Sequence, residues 1–274
     1  MPRLRVFQRP MGAACLVAGL ALLATGGTAR AADDDTGAPE ITGAVAAQPP
    51  RQSDPDFLFG RPRTVVGVSG GWLAASQAGG IFDFTGELLT VNEGDFDTAA
   101  LRFDVGRAVS PRLDVVAEVG FSRASVASEY RDFVDLDDRP IVQTTELTQV
   151  PVGGSLRFWL TPRGREVGRL AWVPNRIAPY VGAGGGARWY RFTQFGDFVD
   201  FDDLSIFTDR FESSGWTASG HVFAGASFSL TRHLFLDAEA RYVWAATPLS
   251  GDFVGFDNID LNGFRATGGI EFVF

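Results

Sequence analysis

Apolar and polar residues alternate with a period of two along most of the chain after residue 63. In 113–123, LDVVAEVGFSR, one face carries Leu113, Val115, Ala117, Val119 and Phe121; the other carries Asp114, Val116, Glu118, Gly120 and Ser122. In 234–244, LFLDAEARYVW, the apolar face is Leu234, Leu236, Ala238, Ala240, Tyr242 and Trp244, opposite Asp237, Glu239 and Arg241. An amphipathic helix would space its apolar residues at i, i+3 and i+4, and neither segment does. The same alternation recurs at 64–76, 98–109, 147–160, 177–192, 213–230 and 262–274, which predicts eight strands.

These strands are long. Soluble strands usually run about five or six residues, whereas a tilted membrane-crossing strand needs roughly 9–11. A sheet in lipid must close on itself, because an open edge leaves backbone groups unpaired. An even number of long alternating strands therefore predicts an all-β fold, an eight-stranded antiparallel up-and-down transmembrane barrel over 63–274. The soluble alternative, a secreted sandwich or lipocalin-like barrel, turns the apolar face inward. Aromatic residues near strand ends favour the membrane version, as interfacial girdles: Trp72, Trp159, Trp189, Tyr190, Trp216, Tyr242, Trp244 and Phe274. Trp159 falls on the polar face and is expected to plug the lumen.

The inward face is charged and rich in glycine (Gly67, Gly71, Gly106, Gly120, Gly153, Gly182, Gly184, Gly186). Inward cations are Arg102, Arg157, Arg188, Arg241 and Arg265; inward anions are Asp104, Asp114, Glu118, Asp237, Glu239 and Glu271. A near-neutral set in a narrow interior implies internal pairing and a filled barrel. A lining of one sign would have suited a channel.

Ahead of the barrel, Arg3, Arg5 and Arg9 precede an apolar run, MGAACLVAGLALLA (11–24), and ARA (29–31) offers a cleavage site. Residues 1–31 read as an export signal. Residues 32–62, rich in acid, Pro, Gly and Ala, read as a flexible periplasmic leader whose tail, FLFGRP, docks locally. Cys15, the one cysteine, falls in the signal, so no disulfide, thiolate metal site or cysteine nucleophile is expected in the mature chain. A net charge of −9 argues against nucleic acid as a partner. No cofactor is implied.

The terminal TGGIEFVF (267–274), with Thr267, Gly269, Phe272 and Phe274, is similar to a barrel-assembly signal. The blocks VPVGGSLRFWL (150–160) and IAPYVGAGGGARWY (177–190) are similar to a pattern in the same group. On these residues the chain resembles the small Gram-negative outer-membrane β-barrel proteins related to the OmpA-like transmembrane domain, over about 63–274. The resemblance implies an outer-membrane location, lipid as the surrounding partner and insertion by the barrel-assembly machinery. It implies no single activity.

With both termini in the periplasm, SPR (110–112) and TRH (231–233) are short periplasmic turns. The third such connection, 161–176, is long and basic; its Arg163, Arg165, Arg169 and Arg176 either face anionic headgroups or, as the simpler expectation, are solvated. The outer connections fall at about 77–97, 130–142, 195–212 and 248–261. A repeated acidic-aromatic word marks the last three: Asp132-Phe133, Asp197-Phe198 and Asp252-Phe253. Clustered carboxylates suit Ca²⁺, which makes Asp135, Asp137, Asp138, Asp200, Asp202 and Asp203 candidates, but no EF-hand register is present. The simpler expectation is that Phe133, Phe198 and Phe253 pack together while the carboxylates stay in water. An external ligand held by these loops is a third possibility.

Catalytic candidates are few. Ser219 and His221 share a face, with Glu239 on the next strand, so a nucleophile–base–orienter set is conceivable, and lipid A deacylases are barrels of this kind. The order SGH lacks the His-x-Ser that this likeness requires, and His221 points into the lumen. The expectation is a non-enzymatic barrel with a structural or surface-interaction role. A narrow channel for small or apolar solutes is the alternative, and a lipid-modifying hydrolase the third.

Overall fold

A computed structural model describes residues 57–92 and 94–274; the expected signal and most of the leader lie outside the described residues. Eight antiparallel strands follow one another around a closed ring: β1 Thr64–Ala75, β2 Thr98–Ser110, β3 Leu113–Val134, β4 Pro140–Trp159, β5 Ile177–Val199, β6 Ile206–Ser229, β7 Leu234–Trp244 and β8 Gly263–Val273. The ladder from β8 to β1, Gly263↔Ala75 through Val273↔Val65, closes it. No barrel strand keeps a free edge, which is the condition lipid imposes.

The alternation places its apolar face outside. Val115, Val119 and Phe121 of β3, Leu156 and Phe158 of β4, and Leu236 of β7 are exposed, while Asp114, Arg157 and Asp237 are buried. A soluble barrel would show the reverse. Trp72, Trp216, Tyr242 and Trp244 stand on the outside near one end of the band, as a girdle requires. Tyr190 and Trp159 do not join them. Both are buried inside the barrel, because their positions fall on the inward register of β5 and β4.

Strand length divides the barrel in two. β1, β2, β7 and β8 have 11–13 residues, about one membrane crossing. β3 to β6 have 20–24 and stand well beyond it. This corrects the expected outer connections, since two of the four shrink to 135–139 and 200–205. The words at 132–134 and 197–199 consequently lie within strands.

The two faces of β3 exchange character at about residue 122. Below it, outward residues are apolar and inward ones include Asp114 and Glu118. Above it, outward Arg123, Ser125, Glu129 and Arg131 are polar, while inward Ala124, Val126 and Tyr130 are buried in an apolar core. Leaving lipid for water reverses which face should be apolar. The other long connections, 76–97 with helix α1 (Gly80–Leu88) and 245–262, fill the concave side of this half-wall with Ile81, Phe82, Leu249, Phe253 and Ile259. We call this end the crown and the opposite one the turn end.

At the turn end, the connection 161–176 forms a hairpin from 164–167 and 171–174, and Leu58–Phe59 adds a third strand to it. Trp172 of this hairpin is buried with Val65, Phe235 and Val273. Arg165, Arg169 and Arg176 are exposed, but the solvated placement expected for Arg163 is wrong: it is buried. The hairpin folds across the barrel mouth and carries this guanidinium inside.

Candidate functional site

The lumen between these two closures is a layered charge network. Near the turn end, Glu271 of β8 accepts from Arg157 of β4 and, at 2.9 Å, from Arg163 Nη2. Trp159 Nε1 donates to Asp114 at 2.8 Å, and the Arg163 guanidinium lies 4.4 Å from the Trp159 ring centre. Tyr180 of β5 donates to Asp237 at 2.8 Å, with Arg157 stacked 4.5 Å from its ring.

One layer up, Glu239 accepts from Arg102 and, at 2.9 Å, from Arg241 Nε. Arg241 also forks onto Glu118, with Nη2 to Oε2 at 2.9 Å and Nη1 to the other oxygen. Paired N–H donors match the carboxylate plane, the strongest ion-pair geometry available. Asp104 lies 3.5 Å from Arg102. Still higher, Arg188 donates to the Gln149 side chain at 2.6 Å and to the Leu261 carbonyl at 2.7 Å. Arg265 is buried alongside.

All the charged positions assigned to the lumen by alternation thus turn inward, and Arg163 adds a sixth cation to the six anions. Its contribution was illegible beforehand, because it lies outside any strand and only the folding-back of the hairpin brings it in. Small residues make the space. A Cβ on Gly182, Gly184 or Gly186 of β5 would come within 2.5 Å of the carbonyls of Leu156, Gly154 or Val152 on β4.

The hydrolase candidates do not assemble. The nearest charged partner of His221 Nε2 is Glu118 at 3.4 Å. Glu239 is committed to Arg102, Arg241 and Tyr180, and its register partner on β6 is Gly225, four residues beyond His221. Ser219 faces Gly186 across β5, with no hydrogen bond to His221 among the described residues. Of the terminal residues, Thr267 turns inward and Gly269 packs against Ser69, while Phe272 and Phe274 lie outside, 6.1 Å apart.

The crown holds the second feature. Phe133, Phe198 and Phe253 do not stack directly on one another, as their shared motif had suggested. Phe211 of β6 bridges two of them, 4.7 Å from Phe198 and 6.5 Å from Phe253, and Phe133 meets Phe201 at 5.8 Å. The separation follows from where the words fall: Phe133 lies on β3, Phe198 on β5 and Phe253 in the 245–262 connection. Phe198, Phe201, Phe211 and Phe253, with Phe84, Leu88 and Tyr130, line a pocket of about 260 Å³ whose polar edge includes Gln143 and Gln194.

The acidic partners of those rings do not converge on one point. Asp197 accepts from Thr208 Oγ1 at 2.6 Å and Asp252 from the Glu212 amide at 2.8 Å, while Asp132 is exposed. In the tip at 135–139, Asp135 accepts from the amides of Asp137 (2.8 Å) and Arg139 (2.7 Å), and Asp137 pairs with Arg139. The Arg139 amide, then that of Asp137, hold the Asp135 carboxyl below the ordinary carboxylate range. In the tip at 200–205, Asp200 accepts from Asp202 and Asp203 from Ser205. The Ser205 hydroxyl and amide lower Asp203 likewise. Asp138 takes a positive φ, 59°, at the turn. Among the described residues, no three His, Cys, Asp or Glu side chains converge.

No protein-family description and no curated protein matches the chain. Among solved structures it is similar to three outer-membrane proteins. With the Neisserial surface protein A it shares 14% identity at a TM-score of 0.40, covering 77% of this chain and 96% of that one. For OprG of Pseudomonas aeruginosa the values are 12%, 0.41, 79% and 99%. For the outer membrane protease OmpT of Escherichia coli they are 9%, 0.41, 77% and 97%. The fold itself rests on the closed ladder and the outward apolar band: the chain is an eight-stranded antiparallel β-barrel of the transmembrane type.

Proposed function

We propose that the protein is an integral outer-membrane barrel with a closed lumen, whose work is done by the crown at the cell surface and not by transport. The observation that carries this reading is the continuity of the plug. Trp172 and Arg163 close the turn end, paired guanidiniums and carboxylates fill the middle, and an apolar core caps the crown end. Opening such a path would break buried ion pairs, each costing about 3–5 kcal/mol when one partner is left alone. The export signal expected at 1–31, the terminal TGGIEFVF and the surrounding lipid band support an outer-membrane address and handling by the barrel-assembly machinery. The crown then faces outward, because the barrel termini meet at the turn end. Reconstitution in planar bilayers tests the reading. It expects a silent membrane, and steady single-channel current would overturn it.

A second reading, capture of a small apolar solute from outside, is favoured by the aromatic pocket. It has the volume for a one- or two-ring molecule and few polar anchors. Binding of 1-N-phenylnaphthylamine by the folded protein, lost in Phe253→Asp, is the expected result. Unchanged binding in that variant would remove this reading and leave the pocket as packing.

A further inference from the structure

We infer that the lumen binds one monoatomic anion of the halide class, between Arg188 and Arg265. Six cations and six anions balance in number but not in place. Arg157 and Arg163 share Glu271, and Arg102 and Arg241 share Glu239, with Glu118 and Asp104 beside them. Among the described residues, neither Arg188 nor Arg265 forms an ion pair.

Arg188 meets only neutral acceptors, and its Nε has none. Both Nε and Nη2 of Arg265 are buried without an acceptor. Arg265 also sits directly opposite Arg241 in the β7–β8 ladder, where like charges repel. Asp237, which has Tyr180 but, among the described residues, no arginine at ion-pair distance, is four residues from Arg241 along β7, roughly 14 Å at 3.4 Å per residue. It is too far away to neutralise Arg265. An arginine cannot shed its proton to escape burial, so the charge must be met by another ion.

The space is there and it is small. Arg188, Arg265, Arg241, Arg102, His221 and Glu118 line a cavity of about 20 Å³, and the Glu118 carboxylate is held by the Arg241 fork. That admits one species of roughly water size. Arg188, Arg265, Arg102 and Arg241 stand against Glu239, Glu118 and Asp104, four positive charges to three negative. Water would satisfy a donor but leave that excess charge uncompensated in a low-dielectric interior, whereas chloride or bromide meets both needs. Sulfate and phosphate do not fit.

The full chain, folded in detergent, tests this by its thermal transition at fixed ionic strength in sodium gluconate, sulfate, chloride or bromide. A protein that binds the ion in its native state gains stability as the ion is added. The expected result is a transition that rises and saturates with chloride or bromide, is unmoved by sulfate relative to gluconate, and loses its halide response in Arg265→Gln. Should that variant not fold, Arg188→Gln serves the same purpose. Crystals grown with bromide should show one anomalous peak in the cavity. Equal transitions in all four salts, a sulfate response matching that of chloride, a halide response kept in the folded variant, or no bromide peak would each overturn the inference.

Discussion

Arg163, from the hairpin across the turn end, reaches Glu271 near the end of the last barrel strand at 2.9 Å, so a connection outside the sheet is locked to the sheet's final turn of lumen. Glu271 also receives Arg157, and all three side chains are buried.

Glu271→Gln should therefore be severe, since it leaves two buried guanidiniums sharing a neutral amide. A loss of about 3–5 kcal/mol is expected, read as a lower temperature for the heat-modifiable gel shift. Arg163→Ala should cost less, because Arg157 continues to compensate the carboxylate.

The reversal of faces along β3 predicts two opposite outcomes for one substitution. Val119→Arg places a charge on the lipid-facing band and should cost about 2–4 kcal/mol near the bilayer midplane. Ser125→Arg, six residues on and on the same outward face, stands in water and should be neutral. Folding yield into vesicles measures both, and equal yields would contradict the membrane boundary placed between them.

Glycine identity should matter by location. In Gly186→Ala the new methyl would lie 2.2 Å from the Val152 carbonyl, so β4 and β5 must separate; about 1–3 kcal/mol or failed assembly is expected. Gly220→Ala meets nothing within 4 Å and should fold as the parent does.

The tip at 135–139 carries a pH dependence of known sign. Asp135 is held below its ordinary value by the amides of Arg139 and Asp137, so the ionised form stabilises the tip. That contribution is complete above the usual carboxylate pKa of about 3.9 and is lost as pH falls through the lower native value. Carboxyl NMR should show Asp135 titrating below the usual carboxylate value of about 3.9. Asp135→Asn should abolish the acid dependence of amide protection at Arg139.

Period-two alternation was enough to determine the strand count, the outward apolar face and the eleven lumen charges from Arg102 to Glu271, because one-in, one-out geometry is a property of every extended chain. It stopped short where a second medium intervened. Above residue 122 the same alternation continues with its polarity exchanged, so β3 to β6 seemed to end at the membrane surface, and the Asp-Phe words seemed to sit in loops. Tyr190 seemed to belong to a girdle for the same reason. Only the tertiary structure decided which charges meet. Arg163 enters the lumen by a chain reversal, Tyr180 takes Asp237, His221 turns to Glu118 and not toward Ser219, and Arg188 and Arg265 are left without a carboxylate. Facing is set by neighbours one or two positions apart, whereas pairing across a barrel depends on register and closure, which join residues more than a hundred positions apart.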